Sequence, residues 1–386
     1  MKITGVRCLL LSAPYATPDD IERTRHLKSG LRPASLIKVE TDAGLYGLGE
    51  TYAGVYAPET VRELVDQFAY DLVGQEAEHP TALAGRIRQS SYYWGRMGIS
   101  QSVIGGIEMA LWDLRGKALG VPVCDLLGGR VHESLPVYAS GGNNKPADQL
   151  REELRGYLAA GYRAIKIRIN NLPDLDAIVE KIAICREAET DFDLMVDAVQ
   201  GLEKRPWTTK FVLELARQIE PYQIRWLEEP AEVTDYAGIA EIRRRTHIPI
   251  AGGETVTSMV EAEQYLSARA LDVFQPDAAM IGGLSIFRQA AQMAERQWVQ
   301  VAVHVWCGGV GILGNYHAAF ATPNCTILEL PSVPNPLREA VMIEPLVIEN
   351  GSIRAPRLPG LGVYLPDDLV ERFPYRPGSV YRVLGN

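Results

Sequence analysis

Seven chargeable side chains stand at or near the ends of short apolar runs, in an even rhythm along the chain. They are Lys166 in AIKIR, Asp197 in LMVDA, Glu228 in RWLEEP, Glu254 in IAGGET, Asp277 in VFQPD, His304 in VAVH and Glu329 in TILEL. The intervals between them are 31, 31, 26, 23, 27 and 25 residues, each about one strand plus one helix. Eight apolar runs (LPVYA, AIKIRI, LMVDA, IRWLEE, IPIAGG, LDVFQP, VQVAVH and TILEL) begin near residue 135, most of them separated by helical patterns such as that of residues 175–189. Strands alternating with helices imply parallel pairing. An open doubly wound sheet leaves reactive residues on seven runs unexplained. A closed (β/α)8 TIM barrel sets them all on one rim, at the carboxyl ends of its strands, where barrel enzymes do chemistry.

The chain has 386 residues, and a barrel of roughly 250 leaves about 130 for a second unit. Its apolar fraction of 47% is that of a globular protein, and no apolar run approaches the ~20 residues that span a bilayer. The start, MKITGVRCLLLSAPYA, imitates a signal peptide, but its apolar core is short and runs into Pro14. It reads as an edge strand of a cytoplasmic protein. Five scattered cysteines without C-x-x-C argue against a disulfide frame or zinc site. A net charge of −9 without a basic block argues against a nucleic-acid partner, and Arg243, Arg244 and Arg245 read as a solvated helix face.

Residues 1–11 and 35–50 read as strands, with a turn at Asp42-Ala43-Gly44. The polar segment 15–34 reads as a long loop, either a lid or a plain connector. Residues 58–120 are helical, with a stripe at Ile104, Ile107, Leu111 and Leu114 that Gly120 and Pro122 end. The Gly/Pro-rich tail is expected to fold back onto the first domain.

Asp197, Glu228 and Glu254 end three consecutive strands. Acids converging on one spot cannot all stay ionised unless a cation joins them, and oxygen-only ligation suits Mg²⁺. Glu229 adjoins Glu228, and spacing does not say which one binds. Lys166 and Arg168, two apart on one strand, share a face. Two cations there suit an anionic substrate; Lys166 beside another cation has a lowered pKa and is a candidate base, while Arg168 stays protonated and acts as a clamp. His304 with Asp277 on the neighbouring strand makes a general base held in one tautomer. Glu329 donates a hydrogen bond if it is protonated against an anionic oxygen, or is an ordinary strand-end acid. His26, His247 and His317 lack such partners and read as structural or surface residues. Tyr52, Tyr56 and Trp306 are either substrate contacts or packing aromatics. A divalent metal with Lys on one side and His on the other suits removal of the proton α to a carboxylate, through an enediolate.

At these residues the chain resembles the enolase superfamily, in its mandelate racemase subgroup, over nearly its whole length. GIEMALWDLRGKALGVPVCDLLGG (106–129), WLEEP, GGET, QPDAAMIGG and the His of VAVHVW carry the likeness. It implies a modified (β/α)7β or (β/α)8 barrel over residues 126–335, an α+β capping domain over 1–125, and a segment 336–386 returning to the cap. It also implies loops near 15–34 and 51–57 that select substrate, one Mg²⁺ per site on Asp197, Glu228 (the first Glu of the pair) and Glu254, a His304–Asp277 base, and a homo-oligomer. Asp277 separates it from the muconate cycloisomerase subgroup, which has Lys there. Two departures stand out. Arg168 replaces the second Lys of Lys-x-Lys, which weakens racemisation by two bases and favours elimination of water from a sugar acid through His304. Val199 stands where Asn is usual, which removes a polar contact. An epimerase, racemase or lactone cycloisomerase using the same enolate is the second expectation, and a non-catalytic metal-binding barrel is the competing class. The sequence does not identify the sugar acid.

Overall fold

The computed structural model describes residues 1–15, 25–170, 172–188 and 191–383. The N-terminal unit is an antiparallel sheet of β1 (Ile3–Pro14), β2 (Leu31–Thr41) and β3 (Tyr46–Glu50), in that order. Helices α1 (Pro58–Leu72), α2 (Pro80–Ser90) and α3 (Ile99–Leu119) follow. Gly120 ends α3 with a left-handed φ of 72°, which a residue without Cβ adopts freely. β3 and α3 lie so close that a Cβ on Gly47 or Gly49 would strike the backbone of Ala110 or Gly106.

The segment expected as a loop over 15–34 is partly strand. Residues 16–24 lie outside the described residues, but Leu31–Ala34 already pair with Pro14–Leu11. Pro33 fits because β3 pairs with β2 only from Leu36 onward, leaving that edge open. Arg32 and Pro33 conceal the apolar alternation that would have marked the strand.

Eight parallel strands form the barrel: β4 (Ser134–Gly141), β5 (Ala164–Arg168), β6 (Asp193–Asp197), β7 (Trp226–Glu228), β8 (Ile250–Gly252), β9 (Val273–Phe274), β10 (Gln300–Val303) and β11 (Cys325–Pro331), closed by β11 on β4. Between them run α4 (Ala147–Ala159), α5 (Leu175–Ala188), α6 (Thr209–Ile219), α7 (Tyr236–Arg245), α8 (Met259–Ser267), α9 (Leu284–Glu295) and α10 (Gly309–Phe320). β11 is followed by only a short helix, Pro336–Glu339, so the barrel takes the (β/α)7β form. Thr208, Asp235 and Ser258 cap α6, α7 and α8 with their side-chain oxygens, as small polar residues do at helix starts. The tail adds β12 (Ser352–Arg354) antiparallel to the foot of β4. It then crosses to the N-terminal unit, where Pro374 bridges Leu11. Among the described residues no helix is long and apolar enough to cross a membrane.

Inside the barrel, Tyr138, Ala164, Met195, Trp226, Ala251, Val273, Ala302 and Ile327 form a separate apolar cluster, one residue from each strand. Two residues further along each strand stand Ser140, Lys166, Asp197, Glu228, Gly253, Gln275, His304 and Glu329. Side chains at i and i+2 share a face, so an apolar plug carries a polar layer directly above it. Trp226, 1% exposed, packs edge-on to Tyr138 with ring centroids 5.6 Å apart.

Three buried carboxylates tie the N-terminal unit to the rest of the chain. Glu50 accepts from the backbone N–H of Gly308 (2.7 Å) and Gly311 (2.9 Å), at the start of α10. Glu108 accepts from Ser285 N at 3.1 Å, at the start of α9. Asp113 accepts from Leu48 N and Leu361 N, each at 2.8 Å, and pairs with Lys117 at 2.6 Å. Helix N-termini have unpaired N–H groups and a positive dipole end, which favour a carboxylate.

Val199, just after β6, has φ 48°, a left-handed conformation that a β-branched residue resists. Its N–H donates to Asp197 Oδ1 at 2.9 Å, and that bond holds the turn. Asn tolerates this conformation at lower cost. We expect Val199→Asn to stabilise the protein by about 1 kcal/mol, read as a higher midpoint in thermal or urea unfolding. An unchanged or lower midpoint would show that no strain resides there.

Candidate active site

At the carboxyl ends of the barrel strands lies a pocket of about 700 Å³, part of it open to solvent. Lys166, Arg168, Asp197, Glu254, His304 and Glu329 all line it. Glu228 and Asp277 stand behind this lining, buried and bonded to Lys166 and His304. Parallel pairing sets Arg168 beside Asp197 and Asp197 beside Glu228, so residues far apart in the chain become neighbours. Trp226 and Glu228 share the inward face, whereas Glu229 leaves the strand with φ 41°. Glu228 is therefore the inward member of the pair.

Lys166 sits among acids. Its Nζ lies 2.5 Å from Glu228 Oε1, 3.0 Å from Glu329 Oε1 and 3.6 Å from Asp197 Oδ2. Burial pulls the ammonium pKa down, but these carboxylates outweigh it and hold the group well above its ordinary value. The lowered pKa expected from a neighbouring cation is thus reversed, because three acids crowd the ammonium. Of the two roles open to Glu329 from the sequence, a protonated donor or an ordinary acid, the surroundings favour the acid. Burial pushes its pKa up, yet Lys166 and His304 bring it down to about 2, and its Oε2 accepts from Val305 N at 3.0 Å. It is an anion and an acceptor here.

The remaining acids are held the other way. Burial and Glu228 push Asp197 up to about 8. Burial raises Glu254, and burial with Glu254 and Asp197 raises Glu229 well above the carboxylate range. Glu229 Oε1 is buried without a hydrogen-bond partner. Among the described residues no three His, Cys, Asp or Glu side chains are closed up as a ready metal cluster. The Lys166 ammonium draws the oxygens of Glu228, Glu329 and Asp197 toward itself instead. Glu228 Oε2 also accepts from Trp226 Nε1 (2.8 Å) and Gln275 Nε2 (2.7 Å).

His304 Nδ1 lies 3.0 Å from Asp277 Oδ2. A carboxylate only accepts, so the proton is assigned to Nδ1. Nε2 then faces the pocket, 3.4 Å from Glu254 Oε2 and 4.0 Å from Glu329 Oε2. Burial lowers the imidazole pKa, but Glu254 and the Asp277 bond overcome it and push it up to about 9. Asp277 Oδ1 accepts from Asn315 Nδ2 at 2.7 Å and Ala279 N at 2.8 Å, which fixes the carboxylate that orients the ring.

Several contributors escaped the sequence reading. Arg168 Nη1 donates to Asn143 Oδ1 at 3.1 Å. Lys181 on α5 donates to Arg168 O (2.6 Å), Gly142 O (2.8 Å) and Asn144 Oδ1 (2.8 Å), pinning the ends of β4 and β5. Gln275 was findable, being two residues from both Val273 and Asp277 on the inward face. Asn315 and Lys181 lie on helices and carry no local signal. His26, read as structural or surface, lines the pocket and stacks on Tyr381 with centroids 4.7 Å apart. His317 is buried and its Nδ1 accepts from Cys124 N at 3.0 Å, while His247 is exposed. Tyr52, Tyr56 and Trp306 all face the pocket.

Residues 24–128 match the mandelate racemase / muconate lactonizing enzyme N-terminal domain. Residues 149–369 match the family described as enolase C-terminal domain-like. The chain is 33% identical to the D-galactarolactone cycloisomerase of Agrobacterium fabrum, over 97% of this chain and 99% of that protein. It is also 33% identical to the D-galactonate dehydratase of Ralstonia nicotianae, over 86% of this chain and 89% of that protein. A crystal structure of a racemase from Streptomyces coelicolor with bound magnesium aligns with a TM-score of 0.82 at 29% identity, covering 98% of this chain and 100% of that one. With its cap, its (β/α)7β barrel and its matched domains, the chain belongs to the enolase superfamily, in the mandelate racemase and muconate lactonizing enzyme family.

Proposed function

We propose that this enzyme removes the proton α to the carboxylate of a sugar acid and expels an oxygen from the adjacent carbon, as water: an acid-sugar dehydratase. The observation that carries this reading is the buried His304–Asp277 pair, its Nε2 turned into the pocket that Lys166 also lines. Pure binding needs no such dyad. The D-galactonate dehydratase relative supports a sugar acid as substrate.

Asp197, Glu228 and Glu254 would hold one Mg²⁺. Their donor atoms are all oxygen, as Mg²⁺ prefers, and a cation would relieve the burial and mutual repulsion that raise Asp197 and Glu254. Enolase-superfamily enzymes use Mg²⁺, and the S. coelicolor structure contains magnesium. Such an ion supplies positive charge to the substrate carboxylate and to Glu254, the acid that most raises His304. Lys166 offers an ammonium to the same carboxylate, and Arg168 clamps the far side. His304 Nε2 takes the α-proton, and the C–H electron pair moves into the carboxylate to form an enediolate. The pair then returns, the C–O bond at the β-carbon breaks, and the hydroxyl leaves with the proton that His304 carries. The enol product rearranges to a 2-keto-3-deoxy acid. Each oriented donor is worth roughly 3–4 kcal/mol, and the base about a hundredfold or more.

Racemisation fits less well. It needs a second base across the substrate, and Arg168, which stands at that position, stays protonated. Cycloisomerisation differs only in the leaving group, a ring oxygen in place of a hydroxyl, and the aromatic side of the pocket favours it as the second reading.

His304→Asn should lower kcat by about a thousandfold or more, with Mg²⁺ binding by titration calorimetry near normal. Retained turnover would remove His304 from the mechanism. Incubation with Mg²⁺ and a panel of sugar acids should yield a semicarbazide-reactive 2-keto acid, and chelation of the metal should stop it. Solvent deuterium entering the substrate without that product would replace dehydration by epimerisation.

A further inference from the structure

Helix α5 buries Ile178, Lys181, Ile182 and Cys185 on one face. Three of them are what a helix stripe against a sheet calls for. Lys181, only 6% exposed, is not. Lysine is rarely buried so deeply, and an ammonium without hydrogen bonds is costly there. Its three N–H donors accept nothing and need three acceptors. Lys181 Nζ places them on three carbonyl oxygens: Arg168 O at 2.6 Å, Gly142 O at 2.8 Å and Asn144 Oδ1 at 2.8 Å. One ammonium thus joins the ends of two neighbouring strands, β4 and β5.

What those oxygens hold leads to one side of the pocket. Gly142, just beyond β4, has φ 61°, and a Cβ there would stand 2.5 Å from Ile167 Cγ2. Asn144 Nδ2 donates to Asn170 O at 2.7 Å. Arg168 Nη1 donates to Asn143 Oδ1 at 3.1 Å. Asn143 therefore sits between two residues that Lys181 grips. Arg168 is held at its carbonyl by Lys181 and at its guanidinium by Asn143. Asn143, Arg168 and Asn170 line the pocket, whereas Lys181 stands behind it. A long side chain that is free to turn loses that freedom when a ligand arrives. One already fixed at both ends loses less, and the ligand binds more tightly. We propose that Lys181 is a positioning residue that fixes the Arg168 clamp, with Asn143 beside it, before substrate arrives, and so sets the affinity for the acid. This inference deepens the reading above and rests on it, because Arg168 is the clamp of that reading.

Lys181→Met keeps the apolar stem and removes the three donors. On the sugar acid of the panel with the highest kcat/KM, it should raise KM about tenfold or more and change kcat by less than about threefold. Arg168→Met should weaken calorimetric binding of the same acid with Mg²⁺ present. Adding Lys181→Met to that enzyme should weaken it further by no more than about twofold, because the two residues act through one group. A loss in kcat alone, or a second full tenfold loss of binding in the double variant, would overturn the proposal. A lowered unfolding midpoint with unchanged KM would overturn it too, as the mark of a merely structural lysine. If Lys181→Met does not fold, Asn144→Ala carries the test. It removes one acceptor and the bond to Asn170, and should raise KM about threefold with kcat kept; an unchanged KM there refutes the positioning role. Normal turnover with an unshifted KM in Lys181→Met refutes that role and leaves the enediolate reading standing. Acids that bind but are not turned over, with binding weakened tenfold in Lys181→Met, refute the enediolate reading and support the role. Absence of binding by every acid overturns both.

Discussion

Alternation along a β-strand puts residues i and i+2 on one face, and closing eight parallel strands into a ring turns that local rule into a reaction vessel. The eight apolar residues at one level fill the barrel and keep water out from below. The residues two positions later are then obliged to stand above them, at the carboxyl ends of the strands. Without the plug, Lys166 and its acids would be hydrated from both sides and their mutual influence would fall with the rising dielectric. With it, one ammonium reaches three carboxylates.

Charge is unevenly served within that layer. Glu329 is firmly ionised, whereas Asp197 is pushed toward its neutral form. Burial and Glu228 raise Asp197, 3.6 Å from the ammonium, whereas Glu329, at 3.0 Å, is lowered by Lys166 and by His304. A buried ion cluster of this sort is a poor source of stability. Its cost is carried by the packed barrel around it, as is usual where chemistry requires groups that folding alone would not place together.

Much of the barrel was legible because each strand end combined an apolar run with a chargeable residue, and the rhythm of 23 to 31 residues admitted few architectures. Convergence of Lys166, Asp197, His304 and Glu329 on one pocket follows from that rhythm alone. Electrostatic state was not legible: Lys166 is raised where a lowered pKa was expected, and Glu329, left open between a protonated donor and an ordinary acid, is lowered, because spacing along the chain carries no information on which oxygen approaches which nitrogen. Nor were Leu31–Ala34 as strand, where Arg32 and Pro33 break the alternation, or His26 at the pocket, which needs the tail to arrive beside it. Contributions from helices, such as Asn315 behind Asp277, depend on packing between elements and leave no periodic trace.

Glu50 has a consequence for how this molecule can be rearranged. It belongs to β3 of the N-terminal unit, yet it closes the first turn of α10, the helix that follows His304. A chimera that joins this barrel to a foreign cap must bring an acid to the same place, or leave the amides of Gly308 and Gly311 bare a few residues after His304. Cap and barrel are therefore a poor pair of interchangeable modules, and grafting new substrate loops is better confined to replacements that begin after residue 50.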